Sequence, residues 1–343
     1  MTLNNGKLKA KDFATDQDVR WCPGCGDYSI LKQLQSVFAE LGLDKDKVAV
    51  ISGIGCSSRF PYYMDTYGMH SIHGRAPAVA SGLRMSQPDL DIWVVTGDGD
   101  GLSIGGNHLL HTLRRNFNLN ILLFNNQIYG LTKGQYSQTS EVNKRTKSTP
   151  MGSIDHPVNP LSFAMGADAS FVARSMDRDP KHLKAMLHRS RNHRGTSFLE
   201  IYQNCNIFND GAFFAFTDKS TKPETAIFLE HGQPLRFGAG QGKGIRIDGL
   251  RPVVVDLEKD GFSPDDLWMH DETDIYKAQI LTRFFDDPTT REDYLPRPFG
   301  VLYAVDRPCY EDGLFGQLEE AVNEKGEGDL DALLAGGATW EIV

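Results

Sequence analysis

No stretch constrains this chain more than residues 92–135. It opens on IWVVTGDGDGLSIGGNH and closes on LNILLFNNQIYGLTKGQ. Two apolar runs, Ile92–Val95 and Asn120–Phe124, are short, built from β-branched or bulky residues, and each ends in a turn signal. That is the pattern of buried parallel strands. Between them Ile104, Leu109, Leu110 and Leu113 fall near helical spacing and predict a helix over 104–117. Open α/β sheets bind ligands at the carboxyl ends of their strands. The loops after Val95 and Phe124 are therefore where chemistry is expected.

Both loops suit an anion and a hard cation. Gly97, Gly99, Gly101, Gly105 and Gly106 let the backbone approach a ligand and turn its N–H groups toward it. Asp98 is a hard oxygen ligand, Asn126 offers a side-chain carbonyl and Ile128 a backbone carbonyl. Mg²⁺ favours a few such oxygens completed by substrate phosphates. Gly-Asp-Gly alone also makes ordinary turns. Here each motif directly follows a strand, and Asn126 stands twenty-eight residues beyond Asp98. Together they resemble the thiamine diphosphate motif of enzymes that depend on that cofactor.

The rest of the chain extends the pattern. Helices are expected at 27–41, from about Pro77, and at 180–193; strands at Val48–Ile51, Phe171–Arg174 and Phe198–Tyr202. This alternation predicts an α/β fold, a doubly wound and mostly parallel sheet. Residues 1–20 read as a polar arm, and 136–160 as a long Thr/Ser/Lys-rich loop of functional or mobile character. Arg189, Arg191 and Arg194 suit the carboxyl end of a helix dipole and receive no ligand role. After about Phe228, Gly, Pro and Asp become frequent. The expected division is 1–228 as the cofactor domain and 229–343 as an appendage wrapping the core or a partner.

Five cysteines with irregular spacing are not a disulfide framework. Cys22 and Cys25 form C-x-x-C, Cys56 follows a strand's loop, and Cys205 follows Phe198–Tyr202. Three elements could bring these four together, and four thiolates bind either Zn²⁺ or an iron–sulfur cluster. The cysteines alone leave both open, with a thioredoxin-like C-x-x-C as a further, unsupported reading. Cys309, alone in the appendage, is expected to be a buried or inert thiol.

WCPGCG, GIGCSSR, HSIHGRA, GDGDGLSIGGNH, NNQIYGLTKGQ and the late Cys205 together resemble the β subunits of 2-oxoacid:ferredoxin oxidoreductases, most nearly the 2-oxoglutarate type. The likeness is dense over 18–215 and loose beyond. It implies that Cys22, Cys25, Cys56 and Cys205 hold one [4Fe–4S] cluster. Asp98, Asn126 and the Ile128 carbonyl would hold Mg²⁺, and Gly97, Gly99, Asp100 and the turn around His73 would line the diphosphate. Arg59 and Leu131 match family positions beside the substrate. The implied reaction is reversible: a 2-oxoacid, coenzyme A and oxidised ferredoxin become acyl-CoA, CO₂ and reduced ferredoxin. A one-electron carrier beside thiamine diphosphate favours the cluster, since Zn²⁺ is redox-inert.

The glutamate that activates the aminopyrimidine ring comes, in thiamine diphosphate enzymes, from a separate pyrimidine-binding domain. One α/β domain's worth of strands leaves no room for it here, so an α subunit is expected to supply it, in an αβ pair doubled by two-fold symmetry. Glu258 or Glu272 of the appendage is the internal alternative. The competing functions are a pyruvate or broad-range oxidoreductase, a non-oxidative lyase with structural zinc, and a non-catalytic scaffold. Net charge of −9 argues against a general nucleic-acid or anionic-membrane binder, and no apolar run is long enough to span a bilayer. A cytoplasmic location is expected.

Overall fold

The computed structural model describes residues 8–337 and Trp340; the first seven residues of the expected polar arm lie outside the described residues. The strands are β1 (Val48–Ser52), β2 (Tyr67–His70), β3 (Asp91–Gly97), β4 (Asn120–Asn125), β5 (Phe171–Met176), β6 (Ser197–Tyr202), β7 (Ala226–Phe228), β8 (Arg236–Phe237), β9 (Lys243–Asp248), β10 (Arg251–Asp256) and β11 (Arg297–Ala304). Eight form one sheet in the order β2-β1-β3-β4-β6-β5-β11-β7. All pairs from β2 to β5 are parallel, and β11 runs antiparallel to β5. The expected doubly wound, mostly parallel sheet is the observed one.

Residues alternate between two cores because successive strand side chains point to opposite faces. Ala49, Ile51, Ile92, Val94, Ile121 and Leu123 join the helices Ala76–Ser86 and Gly106–Arg115 on one face. Val48, Val50, Trp93, Val95, Leu122 and Phe124 join Asp27–Glu40 and Pro180–Asn192 on the other. With helices on both faces, the central strands must be apolar throughout, which is why they read as runs rather than alternations.

Three regions differ from expectation. The polar arm is anchored: Phe13 is fully buried, its ring edge-on to Phe38 with centroids 5.6 Å apart. Segment 136–160 forms no regular element before Pro160, yet Ser137, Thr139, Ser140 and Ser153 are buried. The appendage also enters the main sheet. Arg174 of β5, itself buried, donates to the Pro298 carbonyl of β11 at 3.2 Å and to Glu200 of β6 at 2.7 Å. Removing one partner from such a buried pair costs about 3–5 kcal/mol. The change of composition near 228 is therefore not a boundary between separate sheets.

Candidate functional site

Two cavities lie side by side at the carboxyl ends of β1, β3, β4 and β6. One, of about 200 Å³, is lined by Cys22, Cys25, Cys56 and Cys205 with Arg59 and Gln203. The other, of about 150 Å³, is lined by the Gly97–Asp100 loop, His73 and Ile128. Cys56, Asn126, Gly130 and Leu131 line both and form the shared wall.

The loop cavity is built on buried carboxylates. Asp98 and Asp100 are each 2% exposed, on a single helical turn, Asp98–Gly101, that starts where β3 ends. Asp98 Oδ2 accepts hydroxyl donors from Ser137 at 2.5 Å and Thr139 at 2.6 Å. Burial pushes its carboxyl above the ordinary range, against the lowering effect of these bonds and of the Gly99 and Asn126 backbone. A cation beside it would offset that penalty. Asn126 Oδ1 accepts from the Ile128 N–H at 3.1 Å and keeps a second lone pair. Asp98, Asn126 and the Ile128 carbonyl thus form an all-oxygen donor set on one cavity, which fits Mg²⁺.

Asp100 lines the same cavity, but its carboxylate is taken by the protein. Oδ1 accepts from the Ile54 N–H at 3.0 Å, the Gly74 N–H at 2.6 Å and His73 Nδ1 at 2.6 Å; Oδ2 accepts from Thr96 Oγ1 at 2.6 Å. Asp100 thus lines the cavity as expected, and it also ties the HGR turn to β3. It also sets the proton of His73 on Nδ1 and leaves Nε2 as the free ring nitrogen. Gly99 has a reason besides ligand approach, since a Cβ there would stand 2.3 Å from the Tyr129 ring.

The thiol cavity is assembled by hydrogen bonds between three loops. Trp21 Nε1 donates to the Cys56 carbonyl at 2.6 Å, Asn206 Nδ2 to the Pro23 carbonyl at 2.7 Å, and the Gly26 N–H to the Asn204 carbonyl at 3.1 Å. A Cβ on Gly130 would touch both Cys56 Sγ and Cys205 Sγ, at 3.5 and 3.6 Å. Burial, then Asp27, then the neighbouring thiols push Cys56 up to about 12 and raise Cys25 further. Asp27 is itself buried and pushed up to about 7 by burial. Among the described residues, no group of three or more His, Cys, Asp or Glu is gathered tightly enough to hold a metal ion; the four thiols surround a space instead. All five cysteines are free, and Cys309 is buried elsewhere, beside Arg84 and Glu311.

His73, expected at the diphosphate, and Leu131, expected beside a substrate, line the loop cavity. Arg59 lines the thiol cavity, at the end of the turn Ser57–Arg59 that follows Cys56, with Nη1 donating to the Arg20 carbonyl at 3.3 Å. Glu272 pairs with Arg189 at 2.7 Å, and its carbonyl accepts from Ala304, which pairs with Phe171 at the opposite end of β5. Among the described residues lining the two cavities there is no glutamate. Sequence reading missed Ser137, Thr139 and Gln203. The first two were hidden in a polar run, although buried hydroxyls beside a carboxylate are a common partner; Gln203 stands two residues before Cys205.

Several known proteins resemble this chain. Residues 53–201 match the family described as thiamine pyrophosphate enzyme, C-terminal TPP binding domain. The 2-oxoglutarate oxidoreductase subunit KorB of Mycobacterium tuberculosis is 49% identical, over 97% of this chain and 88% of that protein. The 2-oxoglutarate synthase subunit KorB of Archaeoglobus fulgidus is 37% identical, over 70% of this chain and 84% of its own length. A solved structure, the 2-oxoglutarate:ferredoxin oxidoreductase of Magnetococcus marinus with 2-oxoglutarate, coenzyme A and succinyl-CoA bound, superposes with a TM-score of 0.75 at 32% identity. That superposition covers 96% of this chain and 95% of the other.

Proposed function

The chain belongs to the β subunits of the 2-oxoacid:ferredoxin oxidoreductases, and on that premise we propose that it holds Mg²⁺–thiamine diphosphate and one [4Fe–4S] cluster on the two sides of the Cys56–Leu131 wall. Its reaction is the conversion of 2-oxoglutarate, coenzyme A and two oxidised ferredoxins to succinyl-CoA, CO₂, a proton and two reduced ferredoxins. The shared wall carries this reading. A two-electron oxidation that must deliver electrons singly needs a one-electron carrier next to the reacting centre, and a thiolate-held cluster is such a carrier. Thiamine diphosphate, when bound, supplies the nucleophilic carbon and the electron sink.

This chain's residues do the rest. Asp98, Asn126 and the Ile128 carbonyl hold the cation, with Gly97 and Gly99 against the diphosphate. Ser137 and Thr139 orient Asp98. His73, fixed by Asp100, holds or accepts a proton at Nε2. Cys22, Cys25, Cys56 and Cys205 ligate the cluster, whose positive iron offsets the penalty that burial and Asp27 place on the thiolates. The activating glutamate comes from an α subunit, the partner that the β-subunit relatives imply. Residues 1–228 carry both cofactors, and the appendage from 229 on wraps the core or that partner. The chain works in the cytoplasm, as an αβ pair doubled by symmetry.

Leu131 borders both cavities and Arg59 stands on the thiol side. On this reading the distal carboxylate of a five-carbon diacid is held by the Arg59 guanidinium, a group that can bind a carboxylate through two hydrogen bonds. The assay uses 2-oxoglutarate or pyruvate, coenzyme A and a viologen acceptor, with the chain alone and with its α subunit. Turnover requires the pair. Arg59→Leu raises KM for 2-oxoglutarate roughly 10- to 100-fold, the worth of a charged hydrogen-bonded contact, and leaves KM for pyruvate near its starting value. Equal losses for both acids would remove Arg59 from substrate selection, and full turnover by the chain alone would remove the α subunit from the mechanism.

A further inference from the structure

Gln203 touches one residue of each cavity. It directly follows β6 and is 2% exposed. Its Nε2 donates to the Asn204 carbonyl at 2.6 Å and to Cys25 Sγ at 3.4 Å. Its Oε1 accepts from Asn126 Nδ2 at 2.7 Å, and its backbone N–H donates to the Asn125 carbonyl at 2.8 Å.

These partners fix two amide orientations. The Asn204 carbonyl can only accept, so the Gln203 nitrogen must face it and the oxygen must face Asn126. Asn126 must then turn its nitrogen to Gln203, which leaves its oxygen at the Ile128 N–H. The same amide that sets the Asn126 oxygen thus donates an N–H to the Cys25 sulfur.

We propose that Gln203 is a positioning residue that couples the two cofactor sites, presenting the Asn126 oxygen to the cation while tuning the cluster through its hydrogen bond to Cys25. The inference rests on the reading of the two cavities given above. Hydrogen bonds to cluster sulfurs set reduction potential, because they stabilise the more negative, reduced state. Partners one shell beyond a metal ligand also hold that ligand in place. A cation that engages Asn126 shifts the amide it is bonded to, and through it the N–H on Cys25. The cluster's potential therefore reports whether Mg²⁺–thiamine diphosphate is bound. Gln203 itself transfers neither electron nor proton.

The test is a redox titration, monitored by electron paramagnetic resonance, of the anaerobically purified complex with its α subunit, with and without Mg²⁺ and thiamine diphosphate. In the wild type the potential shifts on cofactor addition. Gln203→Met keeps its iron, titrates at a more negative potential, loses the shift, and binds the cofactor about 10- to 100-fold more weakly. Gln203→Glu keeps an acceptor for Asn126 but has no donor for Cys25, so its potential no longer shifts when the cofactor is added. If Gln203→Met does not fold, Gln203→Glu decides alone. A wild-type potential indifferent to the cofactor, or variants whose potentials keep the wild-type shift, would overturn the coupling. A complex without any iron signal would instead overturn the cluster reading beneath it, which separates the two failures.

Discussion

Asp98→Ala abolishes retention of Mg²⁺–thiamine diphosphate and leaves the iron content of the chain unchanged. Asp98 is the carboxylate of the proposed cation site, its side-chain donors both on Oδ2, whereas both oxygens of Asp100 accept from protein donors. Alanine removes the negative charge and the acceptor shared by the Ser137 and Thr139 hydroxyls. Cys22, Cys25 and Cys205 sit across the wall and Cys56 is part of it, all on other loops, so their cavity survives. Thr139→Val, which removes one hydroxyl and little volume, gives a graded version: cofactor affinity falls roughly 10- to 100-fold, the usual effect of losing a partner behind a metal ligand. Thiamine diphosphate and iron counted per chain after gel filtration check both. Stoichiometric thiamine diphosphate on Asp98→Ala would mean that the cation is held elsewhere.

Cys205→Ala lowers cluster content and abolishes electron delivery to ferredoxin, whereas Cys309→Ala does neither. Cys205 lines the thiol cavity and its sulfur lies against Gly130, as does that of Cys56. Cys309 precedes the helix Tyr310–Lys325, among Arg84, Glu311 and Arg194. Burial there pushes its thiol up to about 11, so it stays protonated and inert near neutral pH. Iron, labile sulfide and ferredoxin reduction measured on both variants separate the two roles. Equal damage would mean that the fourth ligand had been misassigned.

The central sheet was legible because β1, β3, β4, β5 and β6 are buried on both faces and therefore continuous in apolar character. β2 was not, since it is an edge strand with Tyr67, Gly68 and Met69 exposed and no face to pattern. β11 hid behind Pro298 and Gly300, residues that read as turn signals; it joins the sheet through Arg174, a contact across 124 residues of sequence. At the site, the motif residues were legible because their chemistry is unusual for their positions: glycines and a carboxylate directly after a strand, and cysteines after loops. Their supports were not. Ser137, Thr139 and Gln203 are ordinary polar residues whose function comes only from what the fold brings beside them. Asp100 was legible as part of the motif, but its protein partners were not, because Ile54, His73 and Gly74 come from two other segments.

Metal and sulfide analysis of the anaerobically purified αβ complex tests the central claim most directly, that one chain holds thiamine diphosphate and a redox cluster across a shared wall. The expected protein is brown and carries about four iron and four labile sulfides per β chain, as four thiolates around a cubane require. It also holds thiamine diphosphate, and the cluster is reduced when 2-oxoglutarate is added. A colourless complex with one zinc per chain, binding thiamine diphosphate but giving no iron signal with 2-oxoglutarate, would contradict it.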